Sequence, residues 1–184
     1  MNISLPETER LYFRQHLPED LDAYCAMEAD EDFRRYVGGR PRPREEAEKR
    51  FMNGLVPVNA GLHMCATVYK PEGKYIGRCG IYPHFNSDSH PVPGEAALGI
   101  YLDKACWGRG LATEAGGAFV AYGFEQYNLS RIVTAIDTRN EASVRVVEKL
   151  GFKLDWTENG DLRSFYHYML ERDSYFKGRM YDFI

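Results

Sequence analysis

The stretch ALGIYLDKACWGRGLATEA, residues 97–115, passes from an apolar strand through a glycine-punctuated loop into the start of a helix. Ala96 to Asp103 has the near-continuous apolar character of a central strand, and Gly99 within it suggests a bulge or a close backbone approach. Beyond Trp107, Gly108 and Gly110 let the chain turn sharply and bring main-chain N–H groups up to a ligand with no Cβ in the way. The next helix, from about Gly110 to Tyr127, opens with unpaired N–H groups and the positive end of its dipole. The junction is therefore an anion site that needs no basic side chain, and a pyrophosphate is its natural guest.

Three kinds of phosphate loop compete for this stretch. A P-loop ends in Lys-Ser or Lys-Thr, which is missing here. A dinucleotide fold carries a third small residue where Thr113 stands and sits in a parallel sheet, whereas the strands before this one read as antiparallel. Asp137 does end the following strand, which keeps a weak trace of that alternative. The third is the [QR]-x-x-G-x-[GA] loop that holds the pyrophosphate of coenzyme A. Trp107 occupies its Gln/Arg position, a substitution that main-chain binding tolerates.

Outward from the loop, the chain alternates strands and helices. Arg10 to Gln15 reads as a first strand, and a helix begins near Pro18-Glu19-Asp20, with Leu21, Tyr24 and Met27 at helical spacing. Pro43 sits at the first turn of a second helix that runs through residues 45–55. Leu62 to Lys70 and Tyr75 to Tyr82 form a hairpin around Pro71-Glu72-Gly73-Lys74. Residues 83–94 (PHFNSDSHPVPG) read as a long polar loop and a candidate acceptor-binding segment. Arg131 to Asp137 is a further strand, and Asn140 to Leu150 a helix stopped by Gly151. Lys153 to Thr157 and Leu162 to Leu170 close the pattern as a last hairpin. The expected product is a single α/β (α+β) domain over residues 1–184, with a mixed, mostly antiparallel sheet and helices on both faces.

Composition narrows the function classes. With 44% hydrophobic and 27% charged residues, the 184-residue chain has the make-up of an ordinary folded domain. Its net charge of −4 argues against nucleic acid as a partner. No stretch approaches the length of a membrane span, and the N-terminus lacks a signal pattern. Cys25, Cys65, Cys79 and Cys106 show no metal-ligand spacing and no disulfide framework, so the expectation is a cytoplasmic protein without a metal.

Four ordered blocks identify a family resemblance: Glu7 to Arg14, residues 97–115, Arg139 to Phe152, and Tyr168 to Asp173. The chain resembles the GNAT superfamily of N-acetyltransferases, and within it the ribosomal-protein N-terminal acetyltransferases of the RimJ/RimL type. The resemblance implies central splayed strands that bind acetyl-CoA and pass its acetyl group directly to a bound amine, on a protein N-terminus or a small molecule. It implies that the loop from Trp107 and Gly108 through Arg109, Gly110, Leu111, Ala112 and Thr113 holds the pyrophosphate. It implies that main-chain N–H groups at Tyr101 and Leu102 polarise the thioester, and that Asn140 contacts the pantetheine. Many relatives place a Tyr as the acid for the leaving thiolate; here the matching region offers Ser143. Glu95, at the start of the central strand, is the candidate general base, with His84 and His90 as alternatives; a solvated Glu at a strand start is the simpler account of it. The competing reading is a catalytically weak CoA-binding sensor or partner module. The 14% aromatic content, with Tyr175, Phe176, Tyr181 and Phe183 near the C-terminus, is compatible with a monomer or a homodimer.

Overall fold

The computed structural model describes residues 4–54 and 62–180. Leu55, at the expected end of the second helix, and the aromatic residues Tyr181 and Phe183 lie outside the described residues. The strands are β1 (Leu11–Arg14), β2 (Met64–Tyr69), β3 (Lys74–Phe85), β4 (Pro91–Leu102), β5 (Arg131–Asp137), β6 (Lys153–Glu158) and β7 (Phe165–Glu171). The helices are α1 (Leu21–Ala29), α2 (Glu31–Arg35), α3 (Arg44–Gly54), α4 (Leu111–Gln126), α5 (Glu141–Lys149) and α6 (Arg172–Met180).

The strands form one seven-stranded sheet in the order β1-β2-β3-β4-β5-β7-β6. Every pairing is antiparallel except β4 with β5. The connection from β4 to β5 runs through α4, as a parallel crossover requires. The fold class is the mixed α/β arrangement read from the sequence, with helices on both faces.

Each face of the sheet has its own core. Leu98 and Leu102 of β4 join Leu111, Ala115, Phe119 and Phe124 of α4 in one buried cluster. Tyr24, Cys25 and Met27 of α1 join Ala47 and Phe51 of α3 in a second, with Tyr101 of β4 packed against it. Alternation along β4 thus sends even-numbered side chains to the α4 face and Tyr101 to the α1 face.

Three local expectations are corrected. Residues 83–94 are not an open loop: β3 and β4 continue outward as a hairpin, with Pro83 opposite Ala96 and Phe85 opposite Pro91. Asn86 closes its tip, where Oδ1 accepts the N–H groups of Asp88 and His90 at 3.0 Å each. Polar composition misled because a solvated hairpin tip and a loop share it. Secondly, no bulge interrupts β4 at Gly99; its register with β3 is continuous from Leu102 to Ala96. The glycine is accounted for by space, since a Cβ there would lie 3.0 Å from Met64 Sδ and Tyr101 Cε2. Thirdly, two helices appear that the sequence pattern did not separate or foresee, α2 and α6. Asp30 creates α2 by capping it, with Oδ1 accepting the Phe33 N–H at 2.7 Å.

Candidate functional site: the gap between two central strands

The β4–β5 pairing is brief. It covers Glu95 opposite Arg131, Ala96 opposite Ile132 and Ala97 opposite Val133, and then the strands diverge. Asp103 N–H donates to Ile76 O of the β3 edge at 2.8 Å, which fixes the phase of the main chain. Alternation then turns the N–H and C=O groups of Leu98, Ile100 and Leu102 towards the gap, and those of Tyr101 into the β3 ladder opposite Arg78.

Two side chains confirm that phase. The Thr134 hydroxyl donates to Leu98 O at 3.1 Å, and the Trp107 indole N–H donates to Leu102 O at 2.8 Å. The carbonyls of Leu98 and Leu102 on the exposed strand edge are thus capped, while the N–H groups of Ile100 and Leu102 and the Ile100 carbonyl face the gap. The expected donor pair, Tyr101 and Leu102, is corrected to Ile100 and Leu102; Tyr101 reaches the gap by its side chain.

A cavity of about 560 Å³ fills the divergence. On the α4 face it is lined by Trp107, Gly108, Gly110, Leu111, Ala112 and Thr113, and by Asn140, Ser143, Arg145 and Val146 of the α5 region. On the opposite face it is lined by Phe33, Tyr36, Tyr82, Tyr101 and Phe165. The opening therefore passes through the sheet.

Gly108 and Gly110 take positive φ angles of 72° and 79°, which other residues adopt only with strain. The first hydrogen bond of α4 is donated by Glu114 N–H to Gly110 O at 3.1 Å. The N–H groups of Leu111, Ala112 and Thr113 consequently have no partner within the helix. Arg109 alone of the expected loop residues does not line the cavity. Its guanidinium lies over the Tyr69 ring, 4.7 Å from the centroid.

Sequence reading missed what braces this loop. Glu114 accepts from the Thr8 hydroxyl at 2.6 Å, from Arg10 N–H at 2.9 Å and from Arg10 Nε at 2.7 Å, and Arg10 Nη1 donates to Arg109 O at 3.0 Å. These contacts hold the Glu114 carboxyl below its usual range against the opposing effect of burial. One signal was available: an acid in the first turn of an anion-binding helix competes with the anion unless a cation engages it.

Asn140 caps α5, its Oδ1 accepting Ser143 N–H at 3.2 Å. Ser143 lines the cavity beside it. Glu95 does not reach the cavity. It is mostly buried at the paired end of β4, bound by Arg131, whose Nε donates at 3.0 Å, and by His84 Nδ1 at 2.8 Å. His90 lies on the exposed hairpin tip, also away from the gap. All four cysteines are buried free thiols. Burial pushes the Cys65 thiol up to about 12 and raises Cys106, so neither is poised as a nucleophile.

Asp137, at the end of β5, is the carboxylate on the lining. Arg139 donates to it through Nε and Nη2 at 2.8 Å each, and Arg163 through Nε at 2.9 Å. Hydrogen bonding from Arg139, above all, drives its pKa far below the ordinary carboxylate range, with Arg163 adding to the effect. Arg163 Nη2 also donates to Tyr36 O at 2.6 Å, tying the β5 end to the segment after α2.

Residues 10–153 match the acetyltransferase (GNAT) domain family. The chain belongs to that family. An uncharacterized N-acetyltransferase of Bacillus licheniformis, p20, is 28% identical over 149 residues, which span 79% of this chain and 80% of the relative. A GNAT-family acetyltransferase from Bacillus anthracis superposes with a TM-score of 0.79 at 20% identity, covering 92% of this chain and 99% of the other. The Vibrio cholerae spermidine N-acetyltransferase, solved with CoA and spermine, superposes with a TM-score of 0.74 at 16% identity, covering 92% and 99%. This GNAT protein is an N-acetyltransferase. Among its described residues there is no cluster of three metal-ligating side chains, and no helix is long and apolar enough to cross a membrane.

Proposed function

We propose that the chain, acting as one domain over residues 1–184, transfers the acetyl group of acetyl-CoA directly to an amine in the gap between β4 and β5. The observation that carries this reading is the strand edge on which Leu98 and Leu102 carbonyls are capped while neighbouring N–H groups face a cavity. With the Leu98 and Leu102 carbonyls already bonded, the edge offers the gap more donors than acceptors, which favours a ligand that presents oxygens, and a thioester carbonyl does so. The amide of Leu102, with that of Ile100, stabilises the developing oxyanion. The N–H groups of Leu111, Ala112 and Thr113 bind the pyrophosphate, and those of Gly108, Arg109 and Gly110 complete the loop.

In the transfer the neutral amine nitrogen bonds to the acetyl carbon while the carbon–sulfur bond breaks, and the proton the nitrogen sheds passes to the departing thiolate or to solvent. A thiol pKa near 8.5 makes that thiolate a fair leaving group. The Ser143 hydroxyl donates a hydrogen bond to the sulfur, and the Asn140 NH2 group holds the pantetheine. Glu95 is assigned a positioning role at the paired strand end rather than that of a base. The RimJ/RimL resemblance favours a protein N-terminus as acceptor, and the spermine-bound structural neighbour keeps small amines within the same reading.

The test is the thermal midpoint with acetyl-CoA, CoA and NADH, followed by CoA release over an amine panel. A ligand at 100 times its Kd adds about 2.7 kcal/mol, several degrees for a domain of this size. A shift with CoA species and turnover on some amine supports the enzyme. A CoA shift without turnover on any amine favours a CoA-binding sensor. No CoA shift overturns the reading.

A further inference from the structure

The groups assigned to CoA, from the α4 amides to Asn140 and Ser143, stand on one side of the cavity. The opposite half, lined by Phe33, Tyr36, Val37, Tyr82, Tyr101 and Phe165, is left to the amine. Part of that lining rests on a carboxylate behind it. Glu28, on α1, is fully buried and pairs with three guanidiniums. Arg34 of α2 donates through Nη1 at 3.1 Å, Arg78 of β3 through Nη2 at 2.7 Å, and Arg42 reaches the same carboxylate. Three cations exceed what one carboxylate balances. Arg42 also engages Glu46, through Nε at 2.9 Å. Arg78 turns instead to π-faces: its guanidinium lies 4.8 Å from the ring centroid of Tyr24 and 4.8 Å from that of Tyr101. Such contacts strengthen when the cation is withdrawn from water, and the Arg78 side chain is 14% exposed.

The sheet fixes that geometry. Arg78 on β3 stands directly opposite Tyr101 on β4, so the two side chains leave the same face of the sheet as neighbours. The Tyr101 ring also reaches over Gly99, where a Cβ would come within 3.0 Å of its Cε2. The ring belongs to the cavity lining and Arg78 does not. The same carboxylate secures the wall beside it. Arg34 Nε donates to Arg40 O at 3.0 Å, and a Cβ on Gly38 would lie 2.1 Å from Arg34 Nη2. The turn that carries Tyr36 and Val37 is therefore folded onto that arginine.

We infer that Arg78 is a positioning residue for the amine: anchored on Glu28 behind the lining, it holds the Tyr101 ring as a fixed wall and so sets which amine bodies this half accepts. The inference rests on the acetyl-transfer reading above. A ring already held in place meets the amine without first losing rotational freedom, whereas a loose ring must be ordered at each binding event. The effect falls on amine binding, because the thioester is polarised by the main-chain amides of Ile100 and Leu102 rather than by this ring.

Arg78→Lys keeps a cation for Glu28 but not the planar group that stacks on a ring. It is compared with Tyr101→Leu and with the double variant, by the thermal shift with CoA and by turnover of spermidine, phenethylamine and an alanine-initiated peptide. For the amine that the unaltered protein uses best, Arg78→Lys is expected to raise KM about fivefold with kcat nearly unchanged, and Tyr101→Leu about tenfold. The double variant should match Tyr101→Leu alone, because the arginine acts through the ring. Arg78→Met, which leaves Glu28 paired with Arg34 and Arg42, should give the same split as Arg78→Lys. The CoA-induced shift should be equal across the set, and a crystal structure of Arg78→Lys should show the Tyr101 ring moved from its place over Gly99. A purely structural arginine would move the thermal midpoint and leave the division between KM and kcat alone. An unchanged KM, a rise that adds in full to that of Tyr101→Leu, or an unmoved ring would each overturn the inference, while CoA shift and turnover leave the transfer reading standing. Absence of the CoA shift, or a CoA shift without turnover of any amine by the unaltered protein, removes the transfer reading and this inference with it.

Discussion

At its Glu95 end β4 is paired main chain to main chain with β5; from Leu98 onward that pairing ends, and the Thr134 side chain takes over the Leu98 carbonyl. Each end is held by a carboxylate engaged with guanidinium, but the partners differ in direction. Glu95 on β4 pairs with Arg131 on β5 and so bolts the two strands together. Asp137, at the far end of β5, pairs with Arg139 in its own turn and with Arg163 ahead of β7, and sends nothing back to β4. Ion pairs cross the seam where it is shut and turn away from it where it is open. Opening the seam thus requires no loss of charge pairing, only a change in which strand supplies the cation.

The sharpest way to break that comparison is at the open end. Asp137→Asn leaves two guanidiniums facing a neutral amide at a buried site, and losing one partner of such a cluster costs about 3–5 kcal/mol. The thermal midpoint should fall by about 10 °C. The pH dependence carries the sign. The folded-state pKa of Asp137 is depressed, so its contribution is fully present above the unfolded value of about 3.9 and is lost as pH falls through the lower folded value. The variant should therefore lose part of the acid limb of the stability profile and nothing of the neutral plateau's flatness. An unchanged midpoint would show that the cluster does not hold the open end.

The closed end should respond differently. Arg131→Ala strands the Glu95 carboxylate with His84 alone and should cost about 1–3 kcal/mol, less than the deeper site because Arg131 is partly exposed. Its CoA-induced thermal shift should match that of the unaltered protein. A lost shift would mean that the paired end also shapes the ligand site.

Far more of the loop than of the seam was legible in the sequence. Glycines 108 and 110, the strand before them and the helix after them are local signals: a positive φ, an apolar run and a helical period each lie within a few residues. The cavity lining then includes Gly108, Gly110, Leu111, Ala112 and Thr113 without further help. What the chain does across distance was not legible. Nothing near Trp107 says that its indole reaches back to Leu102, nor does anything near Arg163 point to the Tyr36 carbonyl 127 positions earlier. The displacement of the free donor from Tyr101 to Ile100 likewise depends on the phase set by Asp103 and Ile76, a pairing between strands. Glu95 was singled out by its place in the chain; its partners, His84 and Arg131, come from two other strands.

The loop offers a test that should leave both ends of the seam intact. Gly110 has its nearest foreign atom, Arg10 Nη2, 3.6 Å from where a Cβ would stand, so bulk alone is tolerated there. Its φ of 79° is not tolerated by a branched residue, at a cost of about 1–2 kcal/mol. Gly110→Val should weaken CoA binding about tenfold by calorimetry, through misdirected amides at the start of α4. Equal affinity would show that the amides of this turn do not hold the pyrophosphate.

The smallest expected effect separates binding from chemistry on the open edge itself. Trp107 is 48% exposed, so its main internal commitment is the indole N–H on Leu102 O. Trp107→Phe removes that donor and keeps a ring in place. The uncapped carbonyl then stands on the same edge as the Leu102 N–H, where its negative end opposes the oxyanion that the amide stabilises. The helix amides that hold the pyrophosphate are untouched, so the CoA-induced thermal shift should persist. Turnover should fall about fivefold through kcat, the value of roughly 1 kcal/mol for a single hydrogen bond, with KM for the amine little changed. A fall in CoA affinity with kcat preserved would reverse the assignment, making Trp107 a wall of the ligand groove instead of the cap that keeps one strand edge rich in donors.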